Sequence, residues 1–263
     1  MSSSSEPLCA QCNLPLVLTL TPDSEDEEPT SSDTNTLPDD VHLPCGHHFH
    51  WSCLLEAYET TSCPACHTDI SSPPPASSSS SQQADPQILV TLHNEGGLQQ
   101  NLDIFPLLRE EAYLRAFPEQ RKCLAFLEFC AEGDQHAIVT LLQAPPEEGD
   151  PTPGQILRST HPFSHPPGQT GLHIAVSNGH REVAFLLLLL ASEVPELDFP
   201  ALVYQEAAAM GIMREEQAGL PDIRGMLDEG GRSAEDVARS MEARGPGVWH
   251  GWAGKHWLSM PQR

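Results

Sequence analysis

The sequence predicts two folded parts on one chain: a small metal-stapled domain near the start and an all-α array of helix pairs behind it, with a disordered linker between them. Three observations predict this division. Eight cysteine and histidine residues fall in four close pairs within the first seventy positions. A serine- and proline-rich run, SSPPPASSSSSQQADP at 71–86, separates them from the rest. From Cys123 onward, apolar residues recur at helical spacing and glycines interrupt the pattern.

The metal-stapled part, 5–70, opens on the pair Cys9-x2-Cys12. The apolar stretch 14–20 reads as a strand or as a loop packed on the metal ligands. Residues 21–41 (TPDSEDEEPTSSDTNTLPDDV) are acidic and nearly free of apolar groups, so they are expected to be a disordered insertion. Loop closure grows costlier only slowly with length, so ligands on either side can still share an ion. Then comes CGHHFHWSC, with Cys45, His47, His50 and Cys53, and last the knuckle Cys63-Pro64-Ala65-Cys66. One tight turn can aim both members of such a pair at one ion, and structural zinc takes four Cys or His ligands. Four pairs therefore suffice for two zinc sites. Spacing leaves the grouping open; consecutive pairing would unite Cys9, Cys12, Cys45 and His47. Disulfides would leave the interleaved histidines unexplained. His42, His48 and His67 are expected at the surface or beside the ligands.

Composition narrows the function classes. The 263 residues carry a formal charge of -24, which excludes sequence-independent attraction to nucleic acid phosphate. No Lys or Arg precedes Arg109, and the only lysines are Lys122 and Lys255. The start, MSSSSEP, shows no apolar signal core, and Ser2 stands where myristoylation needs Gly. The longest apolar run, 183–191, is too short to span a bilayer. No membrane contact is expected, and metal thiolates imply a reducing cytoplasmic or nuclear location.

Beyond the linker, a connecting segment at 87–118 shows strand character at 87–93 and a helical pattern at 104–117. The repeats are placed at 119–248. Cys123, Phe126, Leu127 and Cys130 make one stripe at i, i+3, i+4, i+7, Gly133-Asp134 breaks it, and 137–142 begins a second helix. The unit returns at 168–190, with Leu172, Ala175 and Val176, the turn Gly179-His180, then Val183, Leu186 and Leu187. A weaker copy surrounds Ala207, Ala208 and Gly211, and a fourth runs from Gly231 through Ala238. Turn glycines 179 and 211 are 32 apart, near the period of a two-helix solenoid; the gap from Gly133 is longer by the loop 144–167. Cys123 and Cys130 are expected in the core. The tail, 249–263, sets Trp249, Trp252 and Trp257 among glycines and is expected to cap the open end of the stack.

The ligand order resembles the RING finger in its variant with two central histidines. That resemblance implies a small α+β fold whose cross-braced ligands put Cys9, Cys12, His50 and Cys53 on one structural zinc and Cys45, His47, Cys63 and Cys66 on the other. It implies a ubiquitin-protein transferase without a nucleophile of its own. Its partners would be a ubiquitin-conjugating enzyme charged with ubiquitin and a protein substrate that the sequence does not identify. Three positions that usually carry the docking differ here: Gln11 replaces an aliphatic residue, Ala57 a tryptophan and His67 a basic residue. Leu14, Leu54, Leu55, Tyr58 and Pro64 are expected to rebuild an apolar docking patch, with Gln11 and His67 the altered docking positions beside them in the motif. In the second part, GQTGLHIA followed by Asn178-Gly179-His180 resembles the ankyrin repeat, which implies Thr170 and His173 bracing neighbouring turns and a protein-binding role. Gly171 takes the place of that repeat's proline and is expected to loosen the turn. A zinc-stabilised adaptor without activity is the competing expectation.

Overall fold

Val17–Thr19 (β1) and Thr36–Pro38 (β2) pair antiparallel, and Asp40–His42 (β3) continues directly from the second of them. The computed structural model describes residues 7–19, 36–57, 61–73, 85–214 and 219–243, with 247, 249, 252 and 257–260. The contacts divide the chain into two units, Met1–Ala116 and Phe117–Arg263.

In the first unit, β3 lies between His48–Phe49 (β4) and Leu89–Asn94 (β5), and Gly97–Asp103 (β6) completes an antiparallel sheet in the order β4-β3-β5-β6. The period-2 pattern explains β5: Ile88, Val90 and Leu92 are buried, and the residues between them face outward. Trp51–Ala57 (α1) and Phe105–Ala116 (α2) pack in the same unit. Helix α1 is only seven residues long and is secured at both ends. The Trp51 N–H donates to buried Asp39 (3.0 Å), and the Arg115 guanidinium donates to the carbonyls of Leu55 (2.6 Å) and Glu56 (3.2 Å). A single core runs from Cys9, Phe49 and Cys63 to Ile88, Ile104 and Leu108.

Two sequence expectations change here. The acidic insertion expected over 21–41 ends earlier: 36–38 form β2 and Asp40 and Val41 begin β3, because Val41 is fully buried opposite Phe49 and Leu92. Residues 20–35 lie outside the described residues. The segment 87–118, read as a connector, supplies β5, β6 and α2 to the first unit. Of the linker, 74–84 lie outside the described residues; its ends are held by the Ser72–Gln87 bridge and by Asp85 on Arg109 (2.6 Å).

The second unit is mainly helical. Arg121–Glu132 (α3) and Gln135–Gln143 (α4) form one antiparallel pair, closed by Gly133 at φ 82° and by Asp134, whose side chain accepts from the Ala137 N–H (2.9 Å). The long loop holds the short Pro153–Ile156 (α5) and the hairpin Thr160–His161 (β7) with Gln169–Thr170 (β8). Gly171–Asn178 (α6) and Arg181–Ala191 (α7) form the next pair, with Gly179 at φ 80° between them. Ala201–Ala209 (α8) packs on α7, and Ala234–Glu242 (α9) packs on α6, so α3, α6 and α9 make a row. The weak copy around Gly211 thus contributes α8 without a second helix among the described residues, and the fourth copy takes the next place in the row.

Thr170 and His173 tie this row together. The Thr170 hydroxyl lies 2.7 Å from His173 Nδ1, and the other ring nitrogen, Nε2, reaches the Arg232 carbonyl at 3.0 Å. Trp249 and Trp252 are buried, and the Trp249 indole N–H donates to the Val176 carbonyl (2.8 Å). Cys123 and Cys130 are buried, with burial pushing both thiols up. Among the described residues, no helix is long and apolar enough to cross a membrane.

Candidate metal centres

The two C-x2-C pairs fold into the same turn. Cys9 N–H donates to the Leu14 carbonyl (3.0 Å), and Asn13 N–H returns to the Cys9 carbonyl (2.8 Å). Five and four residues beyond Cys63 the pattern repeats: Cys63 N–H to Thr68 (2.9 Å), and His67 N–H to Cys63 (2.8 Å). Bridges Leu8–Pro15 and Ser62–Asp69 close each turn one residue outside. Both turns need a left-handed residue after the second cysteine, supplied by Asn13 (φ 58°) and His67 (φ 55°). In each turn the open side collects both sulfurs.

The remaining four ligands come from 45–53. Gly46 (φ 90°) makes the turn between Cys45 and His47, supported by Leu43 N–H to the His47 carbonyl (2.9 Å). After β4, His50 and Cys53 sit one helical turn apart at the head of α1, where i and i+3 share a face. Ala10 N–H on the His48 carbonyl (2.8 Å) and His50 N–H on Cys9 Sγ (3.4 Å) bring this segment to the first turn.

The result is two groups of four. Cys9, Cys12, His50 and Cys53 gather in one, and Cys45, His47, Cys63 and Cys66 in the other, with all ligand atoms in each group within 4.8 Å of one another. Each group could hold one metal ion. Consecutive pairing is not what the fold brings together. In the first group, His50 Nδ1 lies 3.3 Å from Cys12 Sγ and 3.8 Å from Cys53 Sγ. Its Nε2 is 2.8 Å from the Pro15 carbonyl, which fixes Nε2 as the protonated nitrogen and leaves the Nδ1 lone pair for an ion. In the second group, His47 Nδ1 lies 3.5 Å from Cys45 and 3.8 Å from Cys63.

The thiols are strongly perturbed. Burial, then the nearby sulfurs of Cys9 and Cys12, pushes Cys53 up to about 12. Burial also lifts Cys45, and with Cys63 and Cys66 close by it is raised to about 11. Burial opposes ionisation of Cys9, but the N–H groups of Cys12, His50 and Gln11 outweigh it and bring the thiol down to about 6. Hydrogen bonding from Thr68, side chain first and backbone second, lowers Cys66 to about 6. Four soft donors crowded around one point favour a cation that removes the mutual repulsion of their thiolates.

His48 joins neither group. Its Nδ1 contacts the Asp40 carboxylate at 2.8 Å, and its ring stacks on His42 with centroids 4.3 Å apart. Of the docking residues read from the sequence, Gln11, Leu14 and His67 are exposed and Pro64 is half-buried. Leu54 is corrected: it is fully buried, because its place one residue after Cys53 turns it into the core that seats α1. Tyr58 lies outside the described residues. Sequence reasoning missed Asp39 and Arg115, which fix the ends of the ligand-bearing helix; an aspartate in an acid-rich stretch gives no sign of such a role. The chain matches no protein-family model, no curated protein and no solved structure, so any functional reading has to rest on the ligand geometry itself.

Proposed function

We propose that the first unit binds two structural zinc ions and acts as a RING-type ubiquitin ligase, with the helical unit recruiting substrate as a degenerate ankyrin stack. The observation that carries the proposal is the interleaved grouping: the first and third ligand pairs along the chain would serve one ion and the second and fourth the other. The donor set fits zinc. Tetrahedral zinc, with Zn–S about 2.3 Å and Zn–N about 2.0–2.1 Å, places S and N about 3.6 Å apart. The S···N separations of 3.3–3.8 Å bracket that value. Three thiolates and one imidazole per site close the coordination sphere, so zinc here supplies shape and no activated water.

The chain's own residues would then act by position. The turn residues Gln11, Leu14, Pro64 and His67 would receive the conjugating enzyme. A substrate lysine amine attacks the ubiquitin thioester carbonyl and the C–S bond breaks. An isopeptide bond forms, the conjugating enzyme's cysteine leaves as a thiolate, and the amine's proton passes to solvent.

A second reading has its own support. Gln11, Ala57 and His67 all depart from the usual docking chemistry, which favours a zinc-stabilised adaptor without transferase activity. Zinc-loaded full-length protein, assayed for ubiquitin chain formation with a broad panel of conjugating enzymes, separates the two. Chains formed with any of them support the ligase; silence with all of them leaves the adaptor.

A further inference from the structure

Between the paired strands β1 and β2, the head of α1, strands β5 and β6 and helix α2 lies an open groove of about 400 Å³. Its apolar walls are Leu18, Leu37, Trp51, Leu102 and Leu107. Leu18 and Leu107 are half exposed, at 50% and 51%, although each is a large apolar side chain. Gln11, Leu14, Pro64 and His67, argued above to receive the conjugating enzyme, are not among the residues that line it. A hollow of this size suits one or two large apolar side chains.

Its charge is one-sided. Asp39 and Glu95 line it, and among the described residues no Lys, Arg or His does. The unit that carries it, Met1–Ala116, holds seventeen Asp and Glu residues against two arginines, a formal charge of -15, and no lysine. Both arginines are engaged, Arg109 on Asp85 and Arg115 on the last carbonyls of α1. An incoming segment therefore meets apolar walls inside a negative field, which draws in cations and repels acids and nucleic acid.

We propose that this groove binds a protein segment in which a large apolar side chain stands beside lysines and arginines. The proposal rests on the ligase reading in one respect: such a segment would bring acceptor amines to a metal-bearing unit that has none of its own. Apolar burial would supply the affinity, and charge would select which segments enter.

Three fluorescein-labelled peptides of equal length test it against the zinc-loaded full chain by anisotropy. One has a Leu-Phe centre flanked by Lys and Arg, one the same centre flanked by Glu, and one a Ser-Ser centre flanked by Lys and Arg. The first is expected to bind at least tenfold tighter than either control. Leu18→Ser and Leu107→Ser, made separately, are each expected to weaken it at least fivefold with an unchanged far-ultraviolet spectrum, since both side chains already face solvent. Equal binding of the first and third peptides would reduce the effect to bulk charge and overturn the proposal, as would equal binding of the first and second, no binding at all, or full affinity in both variants. The same peptides offered in the ubiquitin assay keep the readings apart. Tight, variant-sensitive binding without transfer to any acceptor counts against the ligase alone. Chain formation without peptide binding counts against the groove alone.

Discussion

Gly171 is expected to resist replacement by alanine, against what helix propensity alone predicts. It is the first residue of α6, where alanine would ordinarily gain up to about 1 kcal/mol over glycine. A Cβ built there, however, would sit 2.8 Å from two carbons of the Phe126 ring and 2.9 Å from Cys130 Sγ. Both neighbours are fully buried on α3 and cannot swing aside into solvent. Overpacking of this kind costs about 1–3 kcal/mol, which exceeds the propensity gain. Gly171→Ala should therefore lose up to about 2 kcal/mol, a fall of a few degrees in the melting temperature of the helical unit. Urea titration followed by far-ultraviolet circular dichroism measures it, and Cys130→Ala in the same chain should return part of the loss by removing the sulfur 2.9 Å from the new Cβ. Greater stability for Gly171→Ala would refute the argument that glycine is there to let α3 approach α6. Where a loosened turn was expected from the sequence, the structure gives a close approach.

Further expectations follow from the site and the helical row. Native mass spectrometry should find two zinc ions per chain, and Cys63→Ala should lose one of them. At about 10–16 kcal/mol per site, chelation should melt the first unit and leave the helices of the second; a first unit that stays folded in chelator would contradict this. His67→Gly should hold metal as well as the parent or better, relieving left-handed strain of about 1–2 kcal/mol, whereas His67→Val should lower the chelator concentration needed for release. Burial lowers the pKa of His173, outweighing the Arg232 carbonyl and Asp228 that oppose it. The unfolded chain then binds the proton first, so stability should fall as pH drops below about 6.5. The Thr170 backbone N–H donates to Nδ1 at 3.3 Å, a bond that would lose its acceptor on protonation. His173→Gln should flatten that acid slope in a pH series of thermal melts, and an unchanged slope would assign it elsewhere.

The four candidate ligand pairs were legible because each is local: one or two residues between donors makes a turn that can aim both at one point. Their grouping was not legible, because contacts between distant residues set it. Ala10 N–H meets the His48 carbonyl and His50 N–H meets Cys9 Sγ, 38 and 41 residues along the chain. The same limit applied to β5, whose alternation marked it as a strand while its partner β3 was concealed in DDVH, at the end of an acidic stretch with a single large apolar side chain. In the second unit, the turn glycines announced helix pairs, but only packing shows that α9 follows α6 in the row while α8 stands against α7. The groove gathers side chains from six separate elements, none with a pattern of its own.

The segment 45–53 links the two candidate metal groups to the fold. Within nine residues it gives Cys45 and His47 to one group and His50 and Cys53 to the other. The strand between them, β4, is two residues long, with Phe49 fully buried and His48 turned out to Asp40. Strands of two or three residues and a helix of seven do not persist on their own hydrogen bonds. The buried sulfurs of Cys9 and Cys63 stand in the same core as Phe49 and Leu54. Drawing four ligands around an ion therefore fixes the core, and packing the core sets the ligand atoms within reach of one another. Neither group could load an ion without ordering the segment that also serves its neighbour, so two occupied sites would depend on each other through these nine residues.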